Sequence, residues 1–358
     1  MEKARDILAK ENITKAFTNE LEMLDFLEDI DLTDERIEVP INLTRTEYDE
    51  EAGSMLVHTP EGTFSCFNLA LSSLEQRSGD TAAGHSLMTT KQIMESMNNY
   101  WYLQDPKKKM FVHLRGGKVL QLESERYAPM SQEALLDMLT VHISKTYKNR
   151  EFVRGFYSHE HTEAVYTVSN GIPEFFKRSW EKANLSKEDL KNTKLYFVFS
   201  TADLANAAAK VAIYLKVGNE KLFMGDNISV IHKDKEGEGT LERFNNKLEE
   251  LNCTVEDELN HLTKLMNIKI QNPYDACVRA LHTAGIPDMA KKAYKEFEQE
   301  LSWLFSSEES AFSLYSCLFG ILSCNYGEKL TEQKRFAISN ALHKLVTADW
   351  KKFDRLGA

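Results

Sequence analysis

Proline and glycine are scarce in this chain, at 7 and 16 of 358 residues. That scarcity excludes collagenous and proline-rich low-complexity classes. No apolar run reaches the ~18 residues of a membrane-spanning helix, so no transmembrane segment is expected. Cysteine is sparse too. Cys66, Cys253, Cys277, Cys317 and Cys324 are odd in number and form no C-x-x-C. They predict free thiols in a reducing compartment, not a disulfide framework or a thiolate zinc site. The opening MEKARDILAKENITKAF is charged throughout and lacks an apolar stretch, so no secretory leader is expected. Phosphate-binding loops are missing as well: GDNIS and GEGT match neither the P-loop nor the dinucleotide fingerprint. No G-x-S-x-G occurs, and no cysteine has an electropositive sequence context. The expectation is therefore no catalytic residue, no cofactor and no nucleotide hydrolysis.

What is present is 42% hydrophobic residues, enough for a sizeable core, and a net charge of −11 that is unevenly spread. Residues 1–60 hold 6 Lys/Arg against 16 Asp/Glu, which accounts for nearly all the imbalance. Residues 105–155 reverse it, with 10 Lys/Arg against 6 acids. A local basic face can bind a polyanion although the total charge is negative.

Hydrophobic spacing divides the chain into three parts. In 1–36, Ile7, Leu8, Phe17, Leu21, Leu24, Phe26, Leu27 and Ile30 recur at intervals near three and four. This predicts an acidic amphipathic helical arm that docks through Leu21, Leu24 and Leu27. Residues 37–239 read as an α+β body. Its strand-like runs include IEVPINL, SMLVHT, EFVRGFYS, TEAVYTVS and LYFVFS. Gly116–Gly117 between two apolar runs marks a two-residue hairpin that should project Arg115 and Lys118 into solvent. Helices are expected after Thr89, after Ser131, after Pro173 and over ADLANAAAKVAIYLKV, and a hydrophilic loop over KDKEGEGT. Residues 240–358 read as a helical region, with segments 241–268, 273–284, 288–306, 308–325 and 331–350. Cys317 and Cys324, seven apart on one helix face, belong to its core. The fold class is α+β: a mixed antiparallel sheet body with N-terminal amphipathic helices and a helical C-terminal region.

Two groups of residues point to chemistry. Ser158-His159-Glu160-His161 places His159 and His161 on one face of a strand, a geometry compatible with a metal once His142, Asp203 or His232 adds a third ligand. The second group interleaves cations with aromatics. Lys107, Lys108, Lys109, Arg115, Lys118, Lys148, Arg150 and Arg154 share a stretch with Trp101, Tyr102 and Tyr157. Cations that track phosphates beside rings that stack on bases are how single strands are held.

Two stretches are similar to a family of phage/plasmid-like proteins carried by prophages and mobile elements. The first is Phe111-Val112-His113-Leu114-Arg115-Gly116-Gly117, then Leu120 and Ser124-Glu125-Arg126-Tyr127-Ala128-Pro129, then the helix from Gln132. The second is LYFVFSTADLANAA, with SAFSLYSCLFGIL resembling a late helix. The family's Cys-Asn-Gly segment is replaced here by Met224-Gly225-Asp226-Asn227. The resemblance implies a mobile element in bacterial cytoplasm and no defined activity. The leading expectation is an oligomeric nucleic-acid-binding protein, of single-strand DNA binding or annealing type. The alternatives are a virion or host-defence-inhibiting protein that acts by protein contacts, and a metal-dependent hydrolase at His159 and His161.

Overall fold

The computed structural model describes residues 4–77, 87–202, 204, 208–218, 220–233, 239–286, 309–325 and 332–356. A short helix, Ala4–Leu8, precedes strand β1 (Thr14–Phe17) and the helix Glu20–Thr33. Asn19 caps that helix by accepting from the backbone N–H of Leu21 and Glu22. Its buried face is Met23, Phe26, Leu27 and Ile30, while Leu24 is half-buried and Leu21 is 69% exposed. The arm expected over 1–36 is therefore not helical throughout and not separate. Thr14–Phe17 is the edge strand of the main sheet, and the helix packs into the main core. Four residues are too few for periodicity to reveal a strand; pairing with a neighbour decided it.

The next ninety residues build a smaller unit. Strand β2 (Asp34–Pro40) is followed by a three-stranded meander, β3 (Arg45–Asp49), β4 (Ser54–Thr59) and β5 (Gly62–Ser65). Helices Leu71–Arg77 and Thr90–Tyr102 come next, the second opened by a Thr89–Gln92 capping box. Strands β6 (Lys109–Arg115) and β7 (Lys118–Glu123) then form a hairpin and complete a second sheet in the order β2-β6-β7. Gly116 and Gly117 lie at φ +57° and +83°, left-handed at both turn positions as the expected hairpin requires. Trp101, Met94, Met97, Val39, Val57 and Val112 pack a core of its own for this unit.

From Gln132 the chain returns to the main body. Ser131 caps the helix Gln132–Thr146. Strands β8 (Arg150–Ser158), β9 (His161–Val168), β10 (Lys194–Thr201), β11 (Ala209–Val217) and β12 (Glu220–Val230) then join β1 in one antiparallel sheet, ordered β1-β8-β9-β10-β11-β12. The alanine-rich segment expected to be helical is β11 over 209–217. Hydrogen bonding to β10 on one side and β12 on the other outweighs alanine's modest helix preference. Asp203 and most of KDKEGEGT fall outside the described residues.

Helices Thr240–Met266, Pro273–Ala284, Ala311–Phe319 and Glu332–His343 form the C-terminal region and share the main core with the sheet. Segment 288–306 lies outside the described residues, as does the Cys324 side chain. A π-helical stretch, Gly320–Asn325, follows the helix that carries Cys317. Strand β10 shows how the sheet is covered. Leu195, Phe197, Phe199 and Thr201 are buried, whereas Lys194, Tyr196, Val198 and Ser200 are half-buried on the other face. No helix among the described residues is long and apolar enough to cross a membrane.

Candidate functional site

The cations and aromatics singled out in the sequence do not form one surface. Trp101 is fully buried and its Nε1 donates to the carbonyl of Arg77 at 2.9 Å. Tyr157 is buried in the main core. Arg115, expected in solvent, is 1% exposed. It donates to Tyr157 OH at 2.7 Å and makes a two-pronged pair with Asp34, both bonds 2.7 Å. Lys118 pairs with Glu11 at 2.7 Å, Arg150 with Glu20 at 2.5 Å, Arg154 with Glu163 at 2.9 Å, and Lys109 with Glu38. Lys107, Lys108, Lys148 and Tyr102 are exposed, with Lys108 donating to Gln104 and Arg45 lying 5.4 Å from the Tyr102 ring. Lys109 opens β6 and Arg115 closes it, about 20 Å apart at the usual strand rise. The acidic start and the basic middle thus complement each other within the molecule.

The histidine pair also separates. His159 sits in the β8–β9 turn, not on a strand, so period-two alternation does not bring it to the face of His161. It is buried, with Nε2 3.0 Å from the carbonyl of Lys10 and its ring 4.9 Å from Phe67. His161 begins β9 and lies beside Phe156. His142 neighbours Asn252 instead. Among the described residues no three His, Cys, Asp or Glu side chains converge as a metal site.

A charged network links the smaller unit to the main body. His113 places Nε2 2.8 Å from Asp34 and Nδ1 2.9 Å from Glu123. Arg36 donates to Glu123 at 2.6 Å and to the carbonyl of Tyr127 at 2.9 Å. Burial opposes charge on both Asp34 and His113, but the hydrogen bonds and opposite charges prevail. Asp34 is held down to about 2 by Arg115 and His113. His113 is lifted to about 9 by Asp34 and Glu123. The imidazolium therefore donates from both nitrogens, and Arg36 fixes the backbone at Tyr127.

That position matters because Tyr127 lines a large cleft. The cleft encloses about 760 Å³ between the two units. One wall is Gln76, Arg77 and Ser124 from the smaller unit. The opposite wall is His161, Ser200, Thr201 and Lys210 at one end of the main sheet, with Glu160 and Lys233 at its edges. Tyr127 and His232 stack with rings 5.4 Å apart and 8° from parallel, Tyr127 OH lying 3.3 Å from His232 Nδ1. The pair also lines a second cavity of about 220 Å³ that reaches Asp34, His113 and Arg115, so it stands between the two spaces.

From the cleft the half-buried face of the sheet runs away along β10 and β11. Cross-strand pairs on this face are Ser200 with Lys210, Tyr196 with Tyr214 and Lys194 with Lys216, and Lys216 is next to Lys221 on β12. Lys221 Nζ stands 5.1 Å from the centre of the Tyr196 ring. Arg154, Glu163 and Phe156 extend the face onto β8 and β9. Sequence reading missed these residues because they form no charge block. The available signal was period two: Lys194-x-Tyr196 and Tyr214-x-Lys216 each put a cation and a ring on one side of a strand. Comparison with protein-family models, with curated proteins and with solved structures finds no match.

Proposed function

We propose that this protein binds single-stranded nucleic acid across the half-buried face of its six-stranded sheet, as expected from the sequence but through different residues. The observation that carries the reading is the interleaving of Lys194, Lys210, Lys216 and Lys221 with Tyr196 and Tyr214 on three adjacent strands. Strands stand ~4.8 Å apart and six residues of β10 span about 20 Å, so cations and rings alternate on the scale of a few nucleotides. The context of a mobile element rests on the sequence resemblance and is part of the same proposal. Glu11, Glu20, Asp34 and Glu38 of the acidic first 60 residues pair within the chain, which leaves the sheet-face cations without these partners.

Fluorescence anisotropy with labelled oligonucleotides at several salt concentrations tests the reading. Replacing Lys194, Lys216 and Lys221 by alanine should flatten the salt slope by about 2, at ~0.7 per phosphate contact on a single strand. Tyr196→Ala should cost ~1–3 kcal/mol and leave the slope unchanged. Alanine at Lys107 and Lys108 should change nothing. A loss of binding confined to the Lys107/Lys108 variant would move the site back to the loop before β6 and overturn the sheet-face reading.

A further inference from the structure

The cleft at the end of the sheet face has a composition the strand-binding reading does not require. Arg77, Lys210 and Lys233 enter it from three separate elements: the end of a helix in the smaller unit, the start of β11 and the residue run after β12. Thr201 also faces it, 2% exposed, with no hydrogen-bond partner for its hydroxyl among the described residues. The Nε of Arg77 is likewise buried without a partner among the described residues. Buried polar atoms without a partner are costly, so both mark strain in the cleft wall that a bound ligand could relieve. Glu160 is the one carboxylate among the described wall residues, so positive charge dominates.

We infer that this cleft is a phosphate-monoester site and that its ligand is the terminal phosphate of the bound strand. Three features select a terminus over an internal phosphodiester. A monoester carries close to two negative charges above its second pKa of about 6, against one for a diester, which suits three convergent cations. The volume lies inside the roughly 300–1,000 Å³ range of small-ligand sites, room for one end nucleotide with its phosphate. The stacked Tyr127–His232 pair closes the inner side, so a strand that enters from the sheet face ends there. Ser200 and Lys210 make the two surfaces continuous, being both the last cross-strand pair of the face and part of the cleft wall.

This inference rests on the strand-binding reading, and one experiment separates the two. Three oligonucleotides of one sequence carry a 5′-phosphate, a 3′-phosphate or only hydroxyls, labelled away from the end under test. One phosphorylated form should bind the full-length protein at least about tenfold more tightly than the hydroxyl form. Lys233→Ala and Thr201→Val should erase that advantage while leaving hydroxyl-ended binding intact. Lys233 is exposed and valine keeps threonine's shape, so both variants should fold. Equal binding of all three forms overturns the inference and leaves the sheet-face reading standing. If no oligonucleotide binds, the sheet-face reading fails. Calorimetry with a nucleoside monophosphate, and with inorganic phosphate as a separate arm, then judges the cleft alone. Binding lost in Lys233→Ala supports the monoester site, and absence of binding to either probe overturns it.

Discussion

At the scale of single residues, the most consequential group is Asp34. Its carboxylate receives both prongs of Arg115, a side chain with 1% exposure, and one nitrogen of His113. Removing one partner of a buried pair leaves an uncompensated charge, at ~3–5 kcal/mol. Asp34→Ala should therefore lower the unfolding free energy obtained from urea titration by an amount of that order. The pH dependence has two limbs. Asp34 sits at about 2 when folded against an ordinary 3.8, so its stabilisation is present above 3.8 and lost as pH falls towards 2. His113 sits at about 9 against 6.5, so its stabilisation is complete below 6.5 and lost as pH rises through 9. In Asp34→Ala the acid limb should flatten, and the alkaline limb should shift to lower pH because His113 keeps only Glu123. Urea melts from about pH 2 to 10 check this; an unmoved alkaline limb would show that the two groups are not coupled.

At the scale of elements, the β6–β7 hairpin combines a legible signal with a hidden one. Two glycines between apolar runs state the turn outright, and both adopt the left-handed backbone such a turn needs. Nothing local states that the turn is covered. A Cβ on Gly116 would come within 2.7 Å of the carbonyl oxygen of Arg5 and 3.0 Å of Ala9. Gly116→Ala thus adds a clash with backbone to a left-handed penalty of ~1–2 kcal/mol. It should destabilise more than Gly53→Ala, where φ is +60° but no atom lies within 4 Å. Comparing the two melting temperatures isolates the packing contribution, and equal losses would mean the first helix does not press on the turn.

At the scale of the whole molecule, two cores meet along a charged seam. The smaller unit packs around Trp101, and the larger core unites residues from before and after it in the chain. Residues 8–30 supply Leu8, Phe17, Met23, Phe26, Leu27 and Ile30 to the larger core and pair β1 with β8. Burying each such side chain contributes ~1.5–3 kcal/mol, so the six together are comparable with the ~5–15 kcal/mol stability of a typical domain. A chain lacking residues 1–33 should fail to fold cooperatively. Circular dichroism melts and size-exclusion chromatography check this; a monodisperse truncated protein with an unchanged melting temperature would return these residues to the status of an arm.

Local chemistry alone determined much of this protein. Thr89 and Ser131 announced helix starts through their caps, Gly116–Gly117 announced a hairpin, and the long amphipathic spacing of 241–268 and 273–284 announced helices close to those observed, Thr240–Met266 and Pro273–Ala284. These signals need only neighbours within a turn or two. Tertiary structure decided whatever depends on a distant partner. It made strands of Thr14–Phe17 and Ala209–Val217, buried Trp101, and paired the acidic start with the basic middle. It also gathered the candidate site from separated segments: Arg77, Ser200, Lys210 and Lys233 form no motif along the chain. A run of charge in a sequence records how many ions are present. Whether they face solvent or one another is settled by Coulomb attraction and desolvation across the folded molecule, between residues a hundred positions apart.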